Sequence, residues 1–281
     1  MTGIVDVGGG MRGIYPAGIF DYLIEKGITF DYAIGVSAGS ANLVSYIAKQ
    51  HRRNFHFYYE YAFRKEYMSM KNYIRKGSYI DLDYIYSELS DETGENPVDY
   101  DTFSKAESRF SVVATNALTG EARYFDGKEM KKNNYDILKA SCCVPLACKP
   151  YVIDGIPYYD GGVAEPIPYR KAFEDGCDKV VVVLTRPRDY MKGNQENMLM
   201  IKHKLRKYPE TVKKIYNRNM KYNKDVEELK ELEKTGKVFI VAPENCFGIN
   251  TLKKEKKAMK LFYEEGYKDG IKIEKFLKSI N

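Results

Sequence analysis

The stretch that decides the fold is residues 3–39, which reads GIVDVGGGMRGIYPAGIFDYLIEKGITFDYAIGVSAG. Residues 3–7 form a short apolar, β-branched run that ends in glycines, and this pattern predicts a buried strand. A helical pattern begins after Gly13, because Pro16 fits only the first turn of a helix. It ends near Gly27, a residue type common just beyond a helix.

A second unit of the same kind follows. Residues 32–36 predict another strand, and we expect a helix from about residue 40 to residue 50. The chain thus alternates twice between a strand, a glycine-rich turn and a helix. Strands joined by crossover helices lie parallel in one sheet, so the alternation predicts an α/β fold with a mainly parallel sheet.

Residues 51–105 differ from this pattern in their many tyrosines and phenylalanines and their few β-branched residues. We predict several short helices there, as a helical insertion that either caps a site or simply packs on the core. Beyond it, strands are expected at residues 110–115, 123–125, 151–153, 158–159, 179–184 and 237–242. Helices are expected from Pro166 to about residue 175, over 196–235 and over 251–281. The fully apolar run 179–184 predicts a strand at the centre of the sheet.

Length and composition suit one large domain. With 281 residues, of which 44% are apolar, the chain can bury a sizeable core. No repeat or linker divides it, so we predict a single domain over residues 1–281. The charged fraction of 30% and the lack of an apolar run of about 18 residues predict a chain that does not span a membrane.

Charge and cysteine content bear on partners and compartment. The net charge of +6 is modest, and no basic run is interleaved with aromatic residues, so no nucleic-acid partner is expected. Peripheral contact with an anionic membrane and the oligomeric state stay open. The five cysteines are odd in number and two are adjacent, which is typical of free thiols and indicates no metal site. No signal peptide is expected, and a cytoplasmic location is predicted.

The pentapeptide Gly35-Val-Ser37-Ala-Gly39 lies between a predicted strand and a predicted helix. This is the setting of a nucleophile elbow, in which small residues allow a sharp turn that exposes a serine hydroxyl above the sheet edge. The helix N-terminus adds free N–H groups and a field that favours negative charge. Ser37 is therefore a candidate nucleophile, and the alternative is a tight turn with only a structural role.

The glycine-rich run Gly8-Gly-Gly-Met-Arg-Gly13 follows the first strand and matches the GxGxxG pattern of dinucleotide-binding sites. Such sites also use an acidic residue at the end of the second strand, where this chain has none. The competing interpretation is an oxyanion hole with the backbone amides of Gly9 and Gly10 as donors. Arg12 would hold this loop or stabilise charge near the site, unless it forms an ordinary surface ion pair.

A serine nucleophile needs a base, and no histidine is placed in the sequence where an α/β-hydrolase has one. The three histidines are His51, His56 and His203. A desolvated carboxylate can accept the serine proton instead. Asp160 is the best candidate, because it ends a predicted hairpin strand and is followed by Gly161 and Gly162. Taken alone, it also fits an Asp-Gly turn without a catalytic role.

The three motifs at residues 8–13, 35–39 and 160–162, in this order, resemble those of the patatin-like phospholipases. The resemblance covers roughly residues 1–185, which implies a core of about that extent and an extension, 186–281, packed on it. It implies a three-layer α/β/α sandwich with a mainly parallel central sheet. It also implies calcium-independent hydrolysis of acyl esters in lipids by a Ser–Asp dyad, with no cofactor and with a phospholipid or another acyl ester as substrate.

The same resemblance assigns roles by motif position. Ser37 would be the nucleophile, Asp160 the general base, and Gly9 and Gly10 the oxyanion donors. The aromatic insertion would line an acyl channel. Two other classes remain open: a non-catalytic protein on the same fold that binds a lipid or a partner, and a dinucleotide-binding oxidoreductase.

Overall fold

The computed structural model describes residues 1–280. Within these residues eight strands form one sheet. The strands are β1 (Thr2–Asp6), β2 (Tyr32–Val36), β3 (Arg109–Asn116), β4 (Ala122–Asp126), β5 (Tyr151–Ile153), β6 (Ile156–Asp160), β7 (Lys179–Val183) and β8 (Val238–Val241). The order across the sheet is β5-β6-β3-β2-β1-β7-β8, and β4 also pairs with β3.

Ten α-helices accompany the sheet in the described part of the chain. They are α1 (Ile14–Glu25), α2 (Ala38–Ile47), α3 (Arg53–Tyr59), α4 (Met70–Lys76), α5 (Tyr100–Ser104), α6 (Asp136–Ser141), α7 (Tyr169–Glu174), α8 (Met198–Lys204), α9 (Pro209–Lys234) and α10 (Lys256–Ile280). The helix predicted from Pro166 begins only at Tyr169, and the one predicted over 196–235 is two helices, α8 and α9. The helix predicted over 251–281 begins only at Lys256, and the last residue of that prediction, Asn281, lies outside the described residues.

The sheet is mainly parallel, which confirms the prediction from residues 3–39. Strands β3, β2, β1, β7 and β8 run parallel to one another. Strands β4, β5 and β6 add an antiparallel edge. The prediction for β7 was wrong in one respect: it lies next to the edge strand β8, while β1 and β2 are more central. The strand consists of valines because helices cover both of its faces. A central position in the sheet is not needed for this.

Both faces of the sheet are buried, so the fold has three layers. Successive residues of a strand point to opposite faces, and Ile4 and Val5 accordingly belong to two separate apolar clusters. Helices α1, α2 and α10 contribute to the cluster around Ile4. Helices α7 and α9 contribute to the cluster around Val5. The α/β/α sandwich expected from the resemblance is confirmed.

The segment 51–105 is a helical insertion, as predicted. It contains α3, α4 and α5 and a short π-helical turn, Tyr84–Glu88. The buried Arg53 side chain connects it to the core, since Nη1 donates to Ser45 Oγ at 2.9 Å and Nη2 donates to Ser90 Oγ at 3.0 Å. This guanidinium thus joins α2 to the far end of the insertion.

The C-terminal segment packs on the first helix. The Tyr15 hydroxyl donates to Asp269 Oδ2 at 2.7 Å across the interface of α1 and α10. The two backbones approach so closely that a Cβ at Gly266 would lie 1.9 Å from the Tyr15 carbonyl oxygen. Among the described helices, none is both long and apolar enough to cross a membrane.

Candidate active site

Ser37 lies at the sharp turn from β2 into α2. Its backbone has φ 56° and ψ −131°, a conformation that residues other than glycine rarely adopt. Holding a residue there costs on the order of 1–3 kcal/mol, and such residues persist only where the surroundings fix them. The side chain is 7% exposed and lines two cavities. The turn is therefore strained and aims a hydroxyl at open space.

A serine on α6 holds this turn in place. The Ser37 amide donates to Ser141 Oγ at 2.8 Å, and the Ser141 hydroxyl donates to the Val113 carbonyl at 2.6 Å. Ser40 Oγ lies 3.0 Å from the same Ser141 oxygen. Because the Ser37 amide is occupied in this way, it is not available to a ligand.

The backbone of the glycine-rich loop after β1 lies in close contact with the turn after β2. A Cβ at Gly8 would lie 2.1 Å from the Val36 carbonyl, and one at Gly39 would lie 2.3 Å from the Asp6 carbonyl. A Cβ at Gly35 would lie 2.4 Å from the Ser40 Cα. Only glycine fits these approaches, so the glycines predicted as turn formers also serve as contact surfaces.

Two amides of the loop have no hydrogen-bond acceptor among the described residues. Within residues 1–280 neither the Gly9 nor the Gly10 amide donates a hydrogen bond, and both residues line a cavity together with Ser37. Their neighbours are occupied: the Gly8 amide donates to Asp6 Oδ1 at 2.9 Å, and the Met11 amide donates to the Thr251 carbonyl at 3.1 Å. The amides of Gly9 and Gly10, which were predicted from the sequence as oxyanion donors, are thus available to bind an oxygen.

Arg12 is buried beside this loop. It is 6% exposed, and Nη2 lies 3.5 Å from Thr251 Oγ1. Its Nε and Nη1 atoms have no hydrogen-bond partner among the described residues, and no carboxylate there pairs with it. The alternative of a surface ion pair therefore does not hold. Burial, together with the nearby Arg186, lowers the pKa of the Arg12 guanidinium to about 10.

The pairing of β2 and β6 with β3 places Asp160 near Ser37. Val36 pairs with Val113 on β3, and the next residue of β3, Ala114, pairs with Asp160 at the end of β6. The residue after Val36 is Ser37, so β3 brings the nucleophile candidate and the carboxylate to the same edge. Both line one cavity.

The glycines after Asp160 shape its surroundings. The Gly162 amide donates to Asp160 Oδ1 at 2.8 Å, and a Cβ at Gly161 would lie 2.2 Å from the Val113 carbonyl. Burial raises the pKa of the Asp160 carboxyl above its usual range. The Ser37 hydroxyl and the Gly162 amide favour the ionised form and oppose this rise, as do the cations Arg218 and Lys192. A carboxylate beside a serine hydroxyl can accept its proton.

The three histidines lie elsewhere. His51 Nε2 contacts Glu25 Oε1 at 2.8 Å, and His56 Nδ1 contacts Glu60 Oε1 at 2.8 Å. None of the three, all of them within the described residues, lines a cavity that contains Ser37. Also within those residues, no group of three or more potential ligands is placed to hold a metal ion. Among the carboxyl groups and histidines of the described residues, Asp160 is the one that lines a cavity together with Ser37.

Two cavities of different chemistry meet at Ser37. The first, the apolar cavity, lies between α2 and the insertion. Its apolar lining includes Met11, Ala41, Val44, Phe57, Met68, Ile80, Ile85, Val98, Leu138 and Leu252. The second, the cationic cavity, contains the glycine loop and Asp160. Its lining also includes Arg12, Arg186, Lys192 and Arg218.

Several residues of the site were missed at the sequence level. Thr185 donates from its hydroxyl to the Gly8 carbonyl, and Thr251 covers Gly10, where a Cβ would lie 2.2 Å from its carbonyl oxygen. Thr185 could have been found, because it follows a parallel strand at the edge where sites form. Lys192 and Arg218 gave no signal, because nothing near them in sequence distinguishes them from solvated surface cations.

Comparison with known proteins gives two family matches. A model described as patatin-like phospholipase matches residues 7–173. A model described as a domain of unknown function (DUF6363) matches residues 208–280. The uncharacterized protein YjjU of Escherichia coli (strain K12) is 30% identical over 189 residues, which is 66% of this chain and 52% of that protein. The chain thus spans about half the length of this curated relative. VipD from Legionella pneumophila superposes with a TM-score of 0.46 at 13% identity, over 99% of this chain and 67% of that one.

Proposed function

The chain belongs to the patatin-like phospholipase family, and on that premise we propose that it is a lipid acyl hydrolase that works through Ser37 and Asp160. The observation that carries the proposal is the strained serine at φ 56° beside a half-buried carboxylate, with two amides that lack an acceptor in the same cavity. A binding role alone would not require a serine held in this costly conformation.

The mechanism follows from the groups at the site. Asp160 accepts the Ser37 proton while Ser37 Oγ attacks the ester carbonyl, and the amides of Gly9 and Gly10 stabilise the oxyanion. Collapse of the tetrahedral intermediate breaks the bond to the alcohol, which leaves with the proton from Asp160. Water, deprotonated by Asp160, then releases the fatty acid from the acylated serine.

The apolar cavity supports an acyl chain as the bound group. It begins at Ser37 and continues between α2 and the insertion, where Phe57, Ile80 and Val98 line it. Apolar walls favour an acyl chain because each buried methylene contributes about 0.8 kcal/mol. We propose that the insertion provides the acyl channel expected from the sequence.

We further propose that residues 1–281 act as one domain, with the extension 186–281 as part of the catalytic unit. The support is that β8 extends the sheet beside β7, α10 packs on α1, and Thr251 contacts the glycine loop. Calorimetry should give one unfolding transition for the whole chain. Two separate transitions would contradict a single unit.

The central experiment is hydrolysis of p-nitrophenyl butyrate by Ser37→Ala and Asp160→Asn. We expect Ser37→Ala to lose more than about 10⁴-fold in kcat and Asp160→Asn to lose on the order of 10³–10⁴-fold. Asp154→Asn, at the exposed turn between β5 and β6, is the matched control and should keep full activity. Labelling by a fluorophosphonate should require Ser37. Full activity in Ser37→Ala would refute the proposal, and lipid binding by an inactive wild type would favour the non-catalytic alternative.

A further inference from the structure

The cationic cavity holds more positive charge than the catalytic carboxylate needs. Four cationic side chains line it, and Asp160 is the one acidic residue among its described lining residues. The buried carboxylate of Asp225 on α9 shows the opposite balance, since it contacts two cations, Arg170 and Lys221. One carboxylate balances one cation, so the cavity keeps an excess of positive charge.

The cations of this cavity have unused hydrogen-bond donors. Arg12, which is more than nine-tenths buried, leaves Nε and Nη1 without a partner among residues 1–280, and Arg218 leaves its buried Nε without one. A buried donor without an acceptor destabilises the folded chain, and the cost is greater when the donor is charged. Such a cost is recovered when an anion enters and accepts from these donors.

The cations also destabilise one another's charged forms. Burial and the neighbouring arginines Arg218, Arg186 and Arg12 hold the pKa of Lys192 well below its usual range. Burial likewise lowers the pKa of Arg218, which Asp160 partly restores. Like charges lie close together here with too little negative charge to balance them. A bound dianion would supply that negative charge.

The elements that carry the cations fix them in place. Asn223 on α9 accepts from the Lys192 amide at 2.8 Å and donates to the Lys192 carbonyl at 2.9 Å. The Lys192 ammonium lies 3.8 Å from the centre of the Tyr222 ring. The loop that carries Lys192 is thus tied to the helix that carries Arg218. The cavity is built rather than a chance meeting of flexible surface lysines.

Three of the four cations lie outside the patatin-like match. That match ends at residue 173, whereas Arg186, Lys192 and Arg218 come later in the chain. Most of the positive charge in the cavity therefore comes from this chain's C-terminal segment and not from the three catalytic motifs.

We propose that the cationic cavity binds a phosphate group, and that in the substrate this phosphate is a terminal phosphomonoester on the alcohol side of the ester cleaved at Ser37. This substrate assignment rests on the proposed function. The two cavities meet at Ser37, so an acyl chain in the apolar cavity directs the alcohol part toward the cations. A choline or ethanolamine head group would bring a further positive charge among them, so the cavity selects an acylglycerol phosphate over a zwitterionic lipid.

The test compares substrates with one acyl chain and different head groups. These are oleoyl-glycerol phosphate, oleoyl-glycerophosphocholine and monooleoylglycerol, assayed at pH 8 below their critical micelle concentrations. For the wild type, kcat/KM should be at least about tenfold higher for the phosphomonoester than for either of the others, mainly through KM. In Arg218→Met and Lys192→Met this ratio should fall toward one. Because both substrates of a ratio share any change in the pKa of Asp160, the ratio isolates recognition of the phosphate.

Arg206→Met is the matched control, because Arg206 is exposed and its loss changes the net charge by the same amount. It should keep the wild-type ratio. A wild-type ratio near one, or an equal loss of ratio in Arg206→Met, would overturn the head-group assignment.

A second arm does not depend on turnover and identifies the source of the phosphate. Inorganic phosphate should raise the Tm of the wild type and of Arg206→Met, but not of Arg218→Met. A rise in Tm without any head-group preference would assign the cavity to free phosphate and overturn the substrate role. No rise and no preference would overturn the phosphate site itself. If the wild type cleaves no ester but phosphate still raises its Tm, the proposed function fails while the phosphate site stands.

Discussion

The turn after β1 and the turn after β2 both join a parallel strand to a helix through glycines, and they lie against each other at one edge of the sheet. Gly8, Gly9 and Gly10 all have positive φ, as does Ser37 in the other turn. In the first turn these residues are glycines, and the amides of Gly9 and Gly10 have no acceptor among the described residues. In the second, the residue at the bend carries a hydroxyl. The same kind of backbone thus presents a donor surface in one place and a nucleophile candidate in the other.

Asp6 connects the two turns. Its Oδ1 accepts from the Gly8 amide at 2.9 Å, and its Oδ2 accepts from Asn42 Nδ2 on α2 at 3.0 Å. The Asp6 side chain is fully buried, and the backbone carbonyl of Asp6 lies against Gly39. We therefore expect the two turns to behave as one unit.

The largest effect is expected from a side chain placed between the turns. In Gly8→Ala the new Cβ would lie 2.1 Å from the Val36 carbonyl, at φ +63°. We expect a loss of about 4–5 kcal/mol in the free energy of unfolding, measured by urea denaturation. Gly193→Ala is the control, since a Cβ there meets nothing within 4 Å. Equal stability of the two variants would show that the turns are not in tight contact.

The next effect is a dependence of stability on pH through Asp6. Burial raises the pKa of this carboxyl from 3.8 to about 7. Between these values the folded chain keeps the proton and the unfolded chain has lost it, so the contribution of Asp6 to stability is greatest below about pH 4. It falls by about 1.4 kcal/mol per pH unit up to about pH 7, roughly 4 kcal/mol in all.

The measurement is the free energy of unfolding of wild type and Asp6→Asn from pH 4 to pH 8. The amide introduced by this substitution cannot ionise, so the difference between the two proteins should change with pH in the direction just given, while all other groups cancel. Two parallel curves would mean that Asp6 is ionised in the folded chain throughout.

A smaller loss is expected when the support of the second turn is removed. Ser141→Ala leaves the Ser37 amide buried without its acceptor, which costs about 2 kcal/mol of stability, and we expect about a tenfold lower kcat on p-nitrophenyl butyrate. Ser40→Ala is the comparison, because Ser40 contacts the Ser141 oxygen but not the Ser37 amide. If the two variants behave alike, the Ser141–Ser37 bond has no special role in holding the turn.

The smallest effect is expected at the support of the first turn. Thr185→Val keeps the shape of the side chain but removes its hydrogen bond to the Gly8 carbonyl. We expect a loss of about 1 kcal/mol in stability and a fewfold drop in kcat. Thr185→Ser keeps the hydroxyl and should restore both values. A valine variant equal to wild type would show that contact with the second turn suffices to hold the loop.

Much of the fold could be predicted from the pattern of residues 3–39, because a strand, a glycine turn and a helix are decided by neighbouring residues. The boundaries of β2 agreed with the sequence, whereas the position of β7 in the sheet did not. An apolar run reports that a strand is covered on both faces, and a strand beside the edge meets that condition as well as a central one.

The candidate site divides in the same way. By itself the sequence determined the two turns, the serine between small residues and the aspartate before two glycines, since each depends on backbone geometry within a few positions. Only the tertiary structure decided that β3 brings Asp160 to Ser37, that Ser141 holds the bend, and that Thr251, 239 residues from Arg12, covers the glycine loop. It also decided that Lys192 and Arg218 face the same cavity. Local sequence cannot carry such information, because a cavity is made by elements that meet only when distant parts of the chain pack together.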